Sequence, residues 1–354
     1  MDYQILLRSR KLLSKTSSIH YLHIAIILGL FSVSSIKGFS QPQSANSYSF
    51  MFYNVENAFD CFDDTLNVGD DEFLPDAKLI WTYSRFQEKV NHIAKTIIAA
   101  GEWNPPALIG MCEIENKTVM NQIVFKTGLK DMGYRFIHYE SPDYRGIDVG
   151  LIYNKKLFKP ISSYPNRIVL PDGRTTRDIL YVKGVLSNHD TIHVLVNHWP
   201  SRRGGQVASD PNRMAASQKL KDISDSISLV NPKSLIIAMG DFNDSSMDES
   251  LQYLTRNTNG NQLINMSAFQ TGKHSGSNKY KEKWELIDQM LVSKAMIDHW
   301  LGTSSNINFK VIDLPFLLED DSTYFGDKPF RSFRGPIYTG GFSDHLPVMS
   351  TFKK

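Results

Sequence analysis

Short runs of apolar residues that stop at a polar cluster recur along this chain. The clearest run, residues 235–239, ends at Gly240 and is followed by the polar segment 241–244. Two other runs share this pattern: residues 49–53 followed by Asn54, and residues 107–112 followed by Glu113. An apolar run of this length that ends in glycine or polar residues predicts a buried β-strand. The polar residues then lie on loops at strand ends, where proteins often place reactive groups.

Three segments have the periodicity of amphipathic helices. From Ser84 to Gly101, apolar residues recur every three or four positions, which predicts a helix that packs one face on a sheet. Ser84 is the expected N-terminal cap, and Gly101 is the expected end. A second helix is predicted from Pro211 to about residue 228, and a weaker one over residues 117–129.

The remaining strand-like segments are short and lie between and after these helices. They cover residues 134–139, 147–153, 182–186, 191–196, 285–292 and 347–352, the third and fourth forming a hairpin through residues 187–190. Residues 257–283 and 313–341 are expected to be mostly irregular. Because strands outnumber helices without strict alternation, the pattern favours packed sheets flanked by helices in one domain.

The first 40 residues differ from the rest of the chain. Basic residues precede a short apolar run at 24–31, and small residues follow it up to Ser40. This order predicts a signal peptide over residues 1–40, followed by a polar linker over 41–47 and one domain over 48–354. We therefore expect an exported protein, periplasmic or secreted. If the apolar run is retained, it anchors the protein in a membrane instead.

Charge and cysteine content narrow the picture further. The chain has 39 Lys and Arg and 37 Asp and Glu, but five of those basic residues and one acid lie in the predicted signal peptide. The mature chain then carries 34 basic and 36 acidic residues, a net charge of about −2. This balance argues against a globally basic surface built to hold long duplex DNA. Cys61 and Cys112 either form a disulfide or remain buried free thiols.

The candidate site consists of the polar clusters at predicted strand ends. They are Asn54, Glu113, residues 197–202, residues 240–244 and residues 343–345, with Asp288 added from a further strand. In this order and at these intervals, the set resembles the endonuclease/exonuclease/phosphatase superfamily. The similarity extends from Asn54 to Pro347, and the segments Gly-Asp-Phe-Asn at 240–243 and Ser-Asp-His-Leu-Pro at 343–347 are its most specific part.

The resemblance implies a four-layered α/β sandwich, with two packed central mixed β-sheets flanked by helices, that cleaves phosphate esters with Mg²⁺ or Mn²⁺. It also implies a set of roles. The metal positions are Asn54, Glu113 and Asp344, and the catalytic positions are His198, Asp241, Asn243, Asp288 and His345. Asp241 and Asn243 match the pair that orients the attacking water and the phosphate. His198 matches the histidine that assists the leaving group, and Asp288 matches the carboxylate partner of His345.

These residue types suit phosphodiester hydrolysis. The substrate is anionic, so a metal ion on Glu113 and a cationic His345 would neutralise charge on the phosphoryl oxygens. His198, with an ordinary pKa of ~6.5, would donate a proton near neutral pH. Asp288 would hold one tautomer of His345 and raise its pKa. The joint presence of these residues argues against a non-catalytic binding module.

The motifs do not distinguish between two classes of substrate. We expect an exported nuclease that acts on DNA or RNA; the alternative is a phosphatase or phosphodiesterase acting on nucleotides, phosphoinositides or phospholipid head groups. Arg145 and Arg202 are the predicted substrate-binding residues. Arg174, Arg177 and Arg203 either line the same cleft or face water, and the aromatic residues of 324–333 either stack bases or pin a long loop to the core. No obligate protein partner is indicated.

Overall fold

The computed structural model describes residues 47–65, 67–102, 104–256, 261–300 and 308–353, all within one unit that spans Gln43–Lys354. The predicted signal peptide, residues 1–40, lies outside the described residues, as does the predicted linker except for Ser47. Ser47 is the first residue of a strand. In this described part of the chain, no helix is long and apolar enough to cross a membrane.

Strands dominate the structure. They are β1 (Ser47–Ala58), β2 (Leu108–Ile114), β3 (Tyr134–His138), β4 (Asp148–Asn154), β5 (Phe158–Asn166), β6 (Ile179–Leu186), β7 (Thr191–His198), β8 (Leu235–Asp241), β9 (Leu263–Asn265), β10 (Gln270–Thr271), β11 (Asn278–Tyr280), β12 (Lys283–Glu285), β13 (Asp288–Ser293), β14 (Asn308–Val311), β15 (Leu318–Asp320), β16 (Asp327–Pro329), β17 (Phe333–Arg334), β18 (Ile337–Tyr338) and β19 (Val348–Lys353). The described helices are α1 (Tyr83–Gly101), α2 (Lys117–Phe125), α3 (Gln206–Val230), α4 (Glu249–Thr255) and α5 (Lys294–Trp300), with 3-10 turns at Asp71–Phe73, Gly128–Met132, Met266–Phe269 and Pro315–Leu317.

The strands form two large mixed sheets. One has the order β10-β14-β19-β1-β2-β4-β3, and the other has the order β5-β6-β7-β8-β13-β9. Parallel pairs join β1 to β2 and β7 to β8, whereas most of the other neighbours are antiparallel. This architecture confirms the predicted α/β fold with two central mixed sheets and flanking helices.

The first five residues of strand β8, Leu235 to Met239, are all apolar because both faces of the strand are covered. Leu235, Ile237 and Met239 belong to the core cluster that also contains residues of the seven-stranded sheet. Ile236 and Ala238 belong to a second core, which includes residues of α3 and α4. Successive strand residues point to opposite faces, so a strand covered on both faces shows no polar alternation.

Helix α1 packs one face on the seven-stranded sheet, as its periodicity predicted. Phe86, Val90 and Ile97 are buried in the same core as β1, and burial of each contributes about 1.5–3 kcal/mol. The cap prediction was wrong: Thr82, not Ser84, accepts the hydrogen bond from the Arg85 backbone. Both residues can cap, and their separation by only two positions made the sequence ambiguous.

The predicted start of α3 was also wrong. The helix begins at Gln206, after Gly205, and Pro211 lies inside it. A proline at the sixth helical position removes the hydrogen bond to the carbonyl of residue 207 and crowds that carbonyl, a cost of about 3 kcal/mol that this helix tolerates. The predicted helix over 117–129 is shorter as well, because α2 ends at Phe125 and a separate 3-10 turn follows over Gly128–Met132.

The two segments predicted as irregular contain short strands. The first includes β9, β10 and β11, and the second includes the two-stranded ribbons β15-β16 and β17-β18. Their strands are two or three residues long, too short for a two-residue alternation to be recognised. Within the second segment, Phe333 is buried, and its ring centroid lies 5.7 Å from that of Trp81. This aromatic residue therefore holds the loop against the core.

Candidate active site

Three predicted site residues lie on adjacent strands of the six-stranded sheet. In the parallel β7-β8 pair, His198 is opposite Asp241, and in the antiparallel β8-β13 pair, Asp241 is opposite Asp288. The hydrogen-bond register of the sheet therefore places these three side chains side by side. They are separated by more than forty residues in the sequence, and only strand order brings them together.

The seven-stranded sheet delivers the next residues to the same place. Asn54, near the end of β1, donates from Nδ2 to Asp241 Oδ2 at 3.0 Å. The hydroxyl of Ser343 donates to the Asn54 carbonyl at 2.7 Å and accepts from the His345 backbone at 3.1 Å. The loop that carries Ser343 and His345 is thus fixed to β1, and the two sheets meet at the Asn54–Asp241 contact.

Glu113 reaches the site because the end of β2 is irregular. The β2-β4 register shifts between Cys112 and Ile114, and Glu113 adopts a positive φ of 61°. For a residue with a Cβ this conformation is strained, and such strain concentrates at functional sites. Its Oε2 accepts from the Asn57 backbone at 2.9 Å, and its Oε1 lies 3.8 Å from His198 Nε2.

Asp288 and His345 form a fully buried pair. His345 Nδ1 and Asp288 Oδ2 are 2.6 Å apart, and the same carboxylate oxygen accepts a hydrogen bond from the Ser277 hydroxyl at 2.6 Å. Burial by itself lowers the pKa of His345, but the carboxylates of Asp288 and Asp241 outweigh it and raise the pKa well above the usual value. His345 is therefore a cation whose Nε2 lies 3.9 Å from Asp241 Oδ2.

Asp241 is the carboxylate at the centre of the site. Burial, and then the nearby Asp288 carboxylate, raise its pKa to about 7, against the opposing effects of His345 and of hydrogen bonds from Asn243 and Asn54. A carboxylate that titrates near neutral pH can exchange a proton during a reaction more readily than one with an ordinary pKa.

His198 lies beside the same Asp241 carboxylate as His345, but the pKa of its imidazole is shifted in the opposite direction. Its Nε2 lies 3.8 Å from Asp241 Oδ2, while its Nδ1 is buried and has no hydrogen-bond partner among the described residues. Burial, together with the positive charges of Arg177 and Arg145, lowers the pKa of His198 well below the usual value. The sequence analysis assumed an ordinary pKa for His198; the structure instead makes it a neutral imidazole at pH 7.

Asn243 is held by its backbone and by its amide. It has a positive φ of 52°, which asparagine tolerates better than most residues. Its backbone donates to Asp241 Oδ1 at 2.9 Å, and its Nδ2 donates to the Trp199 carbonyl at 3.0 Å. The side-chain oxygen of Asn243 accepts no hydrogen bond from any residue that the structure describes.

The two predicted substrate-binding arginines lie in different surroundings. Arg145 Nη2 donates to Asn57 Oδ1 at 2.8 Å and lies 3.6 Å from Glu113 Oε2, which places its charge beside the metal-type carboxylate. Arg202 donates to the Asn243 carbonyl at 2.8 Å and to the carboxylates of Asp248 and Glu285 at 3.2 and 3.1 Å. All three guanidinium nitrogens are thus engaged, one by the Asn243 carbonyl and two by carboxylates.

Asp344 lies at the edge of the site and is partly exposed. Its Oδ2 pairs with Arg331 Nη2 at 3.2 Å, and its Oδ1 is 4.0 Å from His345 Nε2. The structure thus brings all the predicted catalytic and metal positions into one connected set of contacts, with Arg202 at its border.

Glu56 and Lys89 are buried charged residues that the sequence analysis missed. Glu56 accepts from the Ser332 backbone at 2.6 Å and lies 3.9 Å from Lys89 Nζ. Burial raises the pKa of Glu56 and lowers that of Lys89. The sequence does contain a sign that Lys89 is buried, because Lys89 lies three positions after Phe86 on the apolar face of α1. Ser277 was missed for another reason: nothing in its segment predicted contact with Asp288.

Two overlapping groups of side chains at this site have the spacing of metal ligands. They are Cys112, His198 and Asp241, and Asp241, Asp288 and His345, each with ligand atoms within 4.8 Å of one another. Two more groups lie elsewhere: His138, Glu140 and Asp148, and Asp63, Asp70 and Asp71.

Cys61 and Cys112 are both free and buried, so they form no disulfide in this structure.

Two open cavities meet at Arg145, which lies beside Glu113. One, of about 700 Å³, is lined by Arg145, Arg174, Arg177 and Arg203 among other residues. The second, of about 750 Å³, is lined by Glu56, Asn57, Arg145, Arg203, Arg331 and the aromatic residues Phe59 and Phe333, among others. The cavities share Tyr144, Arg145 and Arg203. Arg174, Arg177 and Arg203 therefore line one cavity together with Arg145, whose Nη2 lies 3.6 Å from Glu113 Oε2.

Comparison with known proteins identifies the family of this chain and structures with a similar fold. Residues 49–354 match the Endonuclease/Exonuclease/phosphatase family. No curated protein matches the chain in sequence. Among solved structures, the human nocturnin catalytic domain with bound sulfate has 18% identity and a TM-score of 0.53, covering 87% of this chain and 94% of that one.

Two other structures are similar to a comparable degree. Truncated TDP2 from Caenorhabditis elegans has 16% identity and a TM-score of 0.53, covering 87% of this chain and 98% of that one. A mannosyl-6-phosphatase from Bacteroides thetaiotaomicron has 11% identity and a TM-score of 0.52, covering 87% of this chain and 100% of that one. At this level of identity, the similarity establishes a shared fold.

Proposed function

Because the chain belongs to the endonuclease/exonuclease/phosphatase family, we propose that it is a Mg²⁺- or Mn²⁺-dependent hydrolase of phosphodiester bonds and acts as an exported nuclease on DNA or RNA. The family comprises metal-dependent phosphoesterases, so this chain is a hydrolase of that class. The diester substrate, the polymer, the metal identity and the export are the parts that we propose.

The donor set fits a hard divalent cation. Glu113, Asp241 and Asp288 bring three carboxylates close together, and Asp288 Oδ1 is buried with no hydrogen-bond partner among the described residues. Burial, and then the negative charge of Asp288, raise the pKa of Asp241. Oxygen ligands of this kind suit Mg²⁺ or Mn²⁺. Glu113 and Asn54, with Asp344 at the edge, would hold the ion, which supplies Lewis-acid stabilisation of charge on the phosphate.

The chain's own residues account for the rest of the chemistry. The His345 cation, held by Asp288, faces the centre of the site and stabilises negative charge on a phosphoryl oxygen. Asp241, with its pKa of about 7, takes a proton from the attacking water, and the Asn243 amide helps to align it. His198 Nε2 lies 3.8 Å from an oxygen of Glu113 and from an oxygen of Asp241, and as a neutral imidazole it is a poor proton donor to the leaving group.

The observation that carries the diester assignment is the pair of cavities that flank Arg145. A phosphodiester has a substituent on each side of the scissile phosphate, whereas a monoester has one. The two cavities, of about 700 and 750 Å³, meet at Tyr144, Arg145 and Arg203. This arrangement has room for one arm of the substrate on each side, and the arginines offer phosphate contacts.

The second candidate is a phosphatase or phosphodiesterase for nucleotides, phosphoinositides or phospholipid head groups. The observation that favours it is the structural similarity to a mannosyl-6-phosphatase, which extends over the whole of that chain. The slightly acidic charge of the predicted mature chain agrees with a small substrate as well as with a short polymer.

Hydrolysis of four substrates, each with Mg²⁺ and with EDTA, separates these candidates. Plasmid DNA, RNA, bis-p-nitrophenyl phosphate and p-nitrophenyl phosphate should be tested with residues 41–354. We expect cleavage of at least one polymer and of the diester, and loss of both with EDTA. Release from the monoester alone would refute the nuclease proposal. Glu113→Gln, followed by calorimetric titration with Mg²⁺, tests the metal assignment independently of turnover.

Export has its own test. The predicted cut after Ser40 leaves a chain that begins at Gln41, so the intact mass of protein recovered from the periplasm or the medium should correspond to residues 41–354. Recovery of the full-length chain in the membrane fraction would favour a retained anchor.

A further inference from the structure

Tyr144 is a large aromatic side chain that the fold leaves in water beside the candidate active site. It is 63% exposed and lines both of the cavities that flank Arg145. It lies in the turn Asp143–Gly146, which is closed by a hydrogen bond from the Gly146 backbone to the Asp143 carbonyl at 3.0 Å. The ring therefore stands where the two arms of a diester would separate.

The turn that carries Tyr144 is held rigidly. Asp143 is buried, and its Oδ2 accepts from Arg177 Nη1 at 2.9 Å and from Thr176 Oγ1 at 3.3 Å. Its Oδ1 accepts from the Arg145 backbone at 3.1 Å. Arg177 is in turn fixed by a bond from Nη2 to the Trp199 carbonyl at 2.7 Å. An exposed ring on such an anchored turn loses little conformational freedom when a ligand binds.

The faces of the Tyr144 ring have no aromatic or cationic partner among the described residues. Within the described ranges, the one side-chain hydrogen bond of Tyr144 is at the ring edge, where Arg203 Nη1 donates to the hydroxyl at 3.5 Å. Tyr164 provides a contrast: it is 48% exposed, but its ring packs on Tyr181 at a centroid distance of 4.7 Å. Arg203 is itself exposed, so its charge is available close to the ring.

We propose that Tyr144 and Arg203 form a stacking platform for an unpaired nucleobase next to the scissile phosphate, with Arg203 holding the adjoining backbone phosphate. An aromatic face beside a cation is the combination that binds single-stranded nucleic acid without strong sequence preference. A base in a duplex already has both faces stacked, so the platform selects single-stranded substrates. This inference rests on the proposed nuclease function.

The test compares two single-stranded oligonucleotides of equal length. One carries bases throughout and contains 2-aminopurine, whose fluorescence reports stacking; the other has abasic residues on both sides of the scissile phosphate. Tyr144→Ala should lower kcat/KM for the base-bearing oligonucleotide by about 5- to 150-fold, which is the effect of removing one stacked base. The abasic oligonucleotide should be cleaved equally by both proteins, and Tyr144→Phe should remain within about twofold of the wild type, since the ring is kept.

Tyr164→Ala is the matched control, because it removes an exposed tyrosine that lines a different cavity without predicted site residues. It should leave both substrates unaffected. Equal loss on both oligonucleotides in Tyr144→Ala, or no loss on either, would overturn the platform. If the wild type cleaves neither oligonucleotide, the nuclease proposal fails, and 2-aminopurine quenching measured in EDTA still decides the platform: quenching that Tyr144→Ala abolishes supports it, and no quenching by the wild type refutes it.

Discussion

Two buried histidines contact the same carboxylate oxygen and differ in charge. His345 Nε2 lies 3.9 Å from Asp241 Oδ2, and His198 Nε2 lies 3.8 Å from it. His345 has Asp288 on its other nitrogen at 2.6 Å, whereas the other nitrogen of His198 is buried and has no hydrogen-bond partner in the part of the chain that the structure describes. The pKa of His345 is consequently raised and that of His198 is lowered.

The difference teaches that burial alone does not set the charge of a site residue. Burial lowers the pKa of both imidazoles, because removal from water disfavours the charged form. The carboxylate of Asp288 reverses this for His345, while Arg177 and Arg145 reinforce it for His198. One side of Asp241 therefore offers a cation and the other a neutral ring, which gives the site a defined polarity towards an anionic substrate.

Removal of the shared carboxylate should have the largest effect. In Asp241→Asn the proton acceptor is lost, and kcat should fall by about 10²- to 10⁴-fold. The new amide meets N–H donors from Asn54 and Asn243, so we also expect a moderate loss of stability, partly offset by relief of repulsion from Asp288. Initial rates and thermal unfolding check this, with the exposed Asp222→Asn as the control. Near-normal turnover would remove Asp241 from the mechanism.

Removing the negative charge of Asp288 should abolish the difference in charge between His345 and His198. In Asp288→Asn, the pKa of His345 falls towards its ordinary value, and so does that of Asp241, since Asp288 raises both. The activity profile should then move to lower pH, with a loss of about 10²- to 10³-fold at pH 8, where His345 is now neutral, and a smaller loss at pH 6.

Rates of Asp288→Asn and Ser277→Ala over this pH range give the measurement. Ser277→Ala removes a hydrogen bond to Asp288 but keeps its charge, so its profile should stay close to that of the wild type. An equal loss at both pH values would show that the charge on His345 does not matter.

The smallest expected effect is on the pH dependence of the free energy of unfolding. His345 should make the protein less stable as the pH rises, and His198 should make it less stable as the pH falls. The raised pKa of His345 contributes stability that is complete below about pH 6.5 and is lost as the pH rises through the folded-state value. The lowered pKa of His198 means that the unfolded chain takes up a proton below about pH 6.5 that the folded chain does not, so stability falls on acidification.

Urea unfolding with EDTA over a pH series tests this with two variants. His198→Gln should weaken the acid-side loss by up to about 1.4 kcal/mol per pH unit, and His345→Gln should weaken the alkaline-side loss by a similar amount. Curves that stay parallel to the wild type would show that neither pKa is shifted.

Much of the fold was predictable because strand ends and amphipathic faces are local patterns. The apolar run of β8 and the periodic face of α1 both appear where the sequence placed them. Failures occurred where two local solutions compete, as at Thr82 and Ser84, or where strands have only two or three residues, as between β9 and β12. In such cases tertiary pairing decides the outcome, and a short window contains too little information.

The sequence by itself determined the residue types of the site, their positions at strand ends, and through its motifs the family. Only the tertiary structure decided which of them touch. It joined Nδ1 of His345 to a carboxylate and left Nδ1 of His198 without a hydrogen-bond partner among the described residues. It also engaged Arg202 with Asp248 and Glu285, and left Tyr144 exposed between two cavities. The physical reason is that charge state and availability depend on desolvation and on partners many residues away, which strand order and sheet packing bring together.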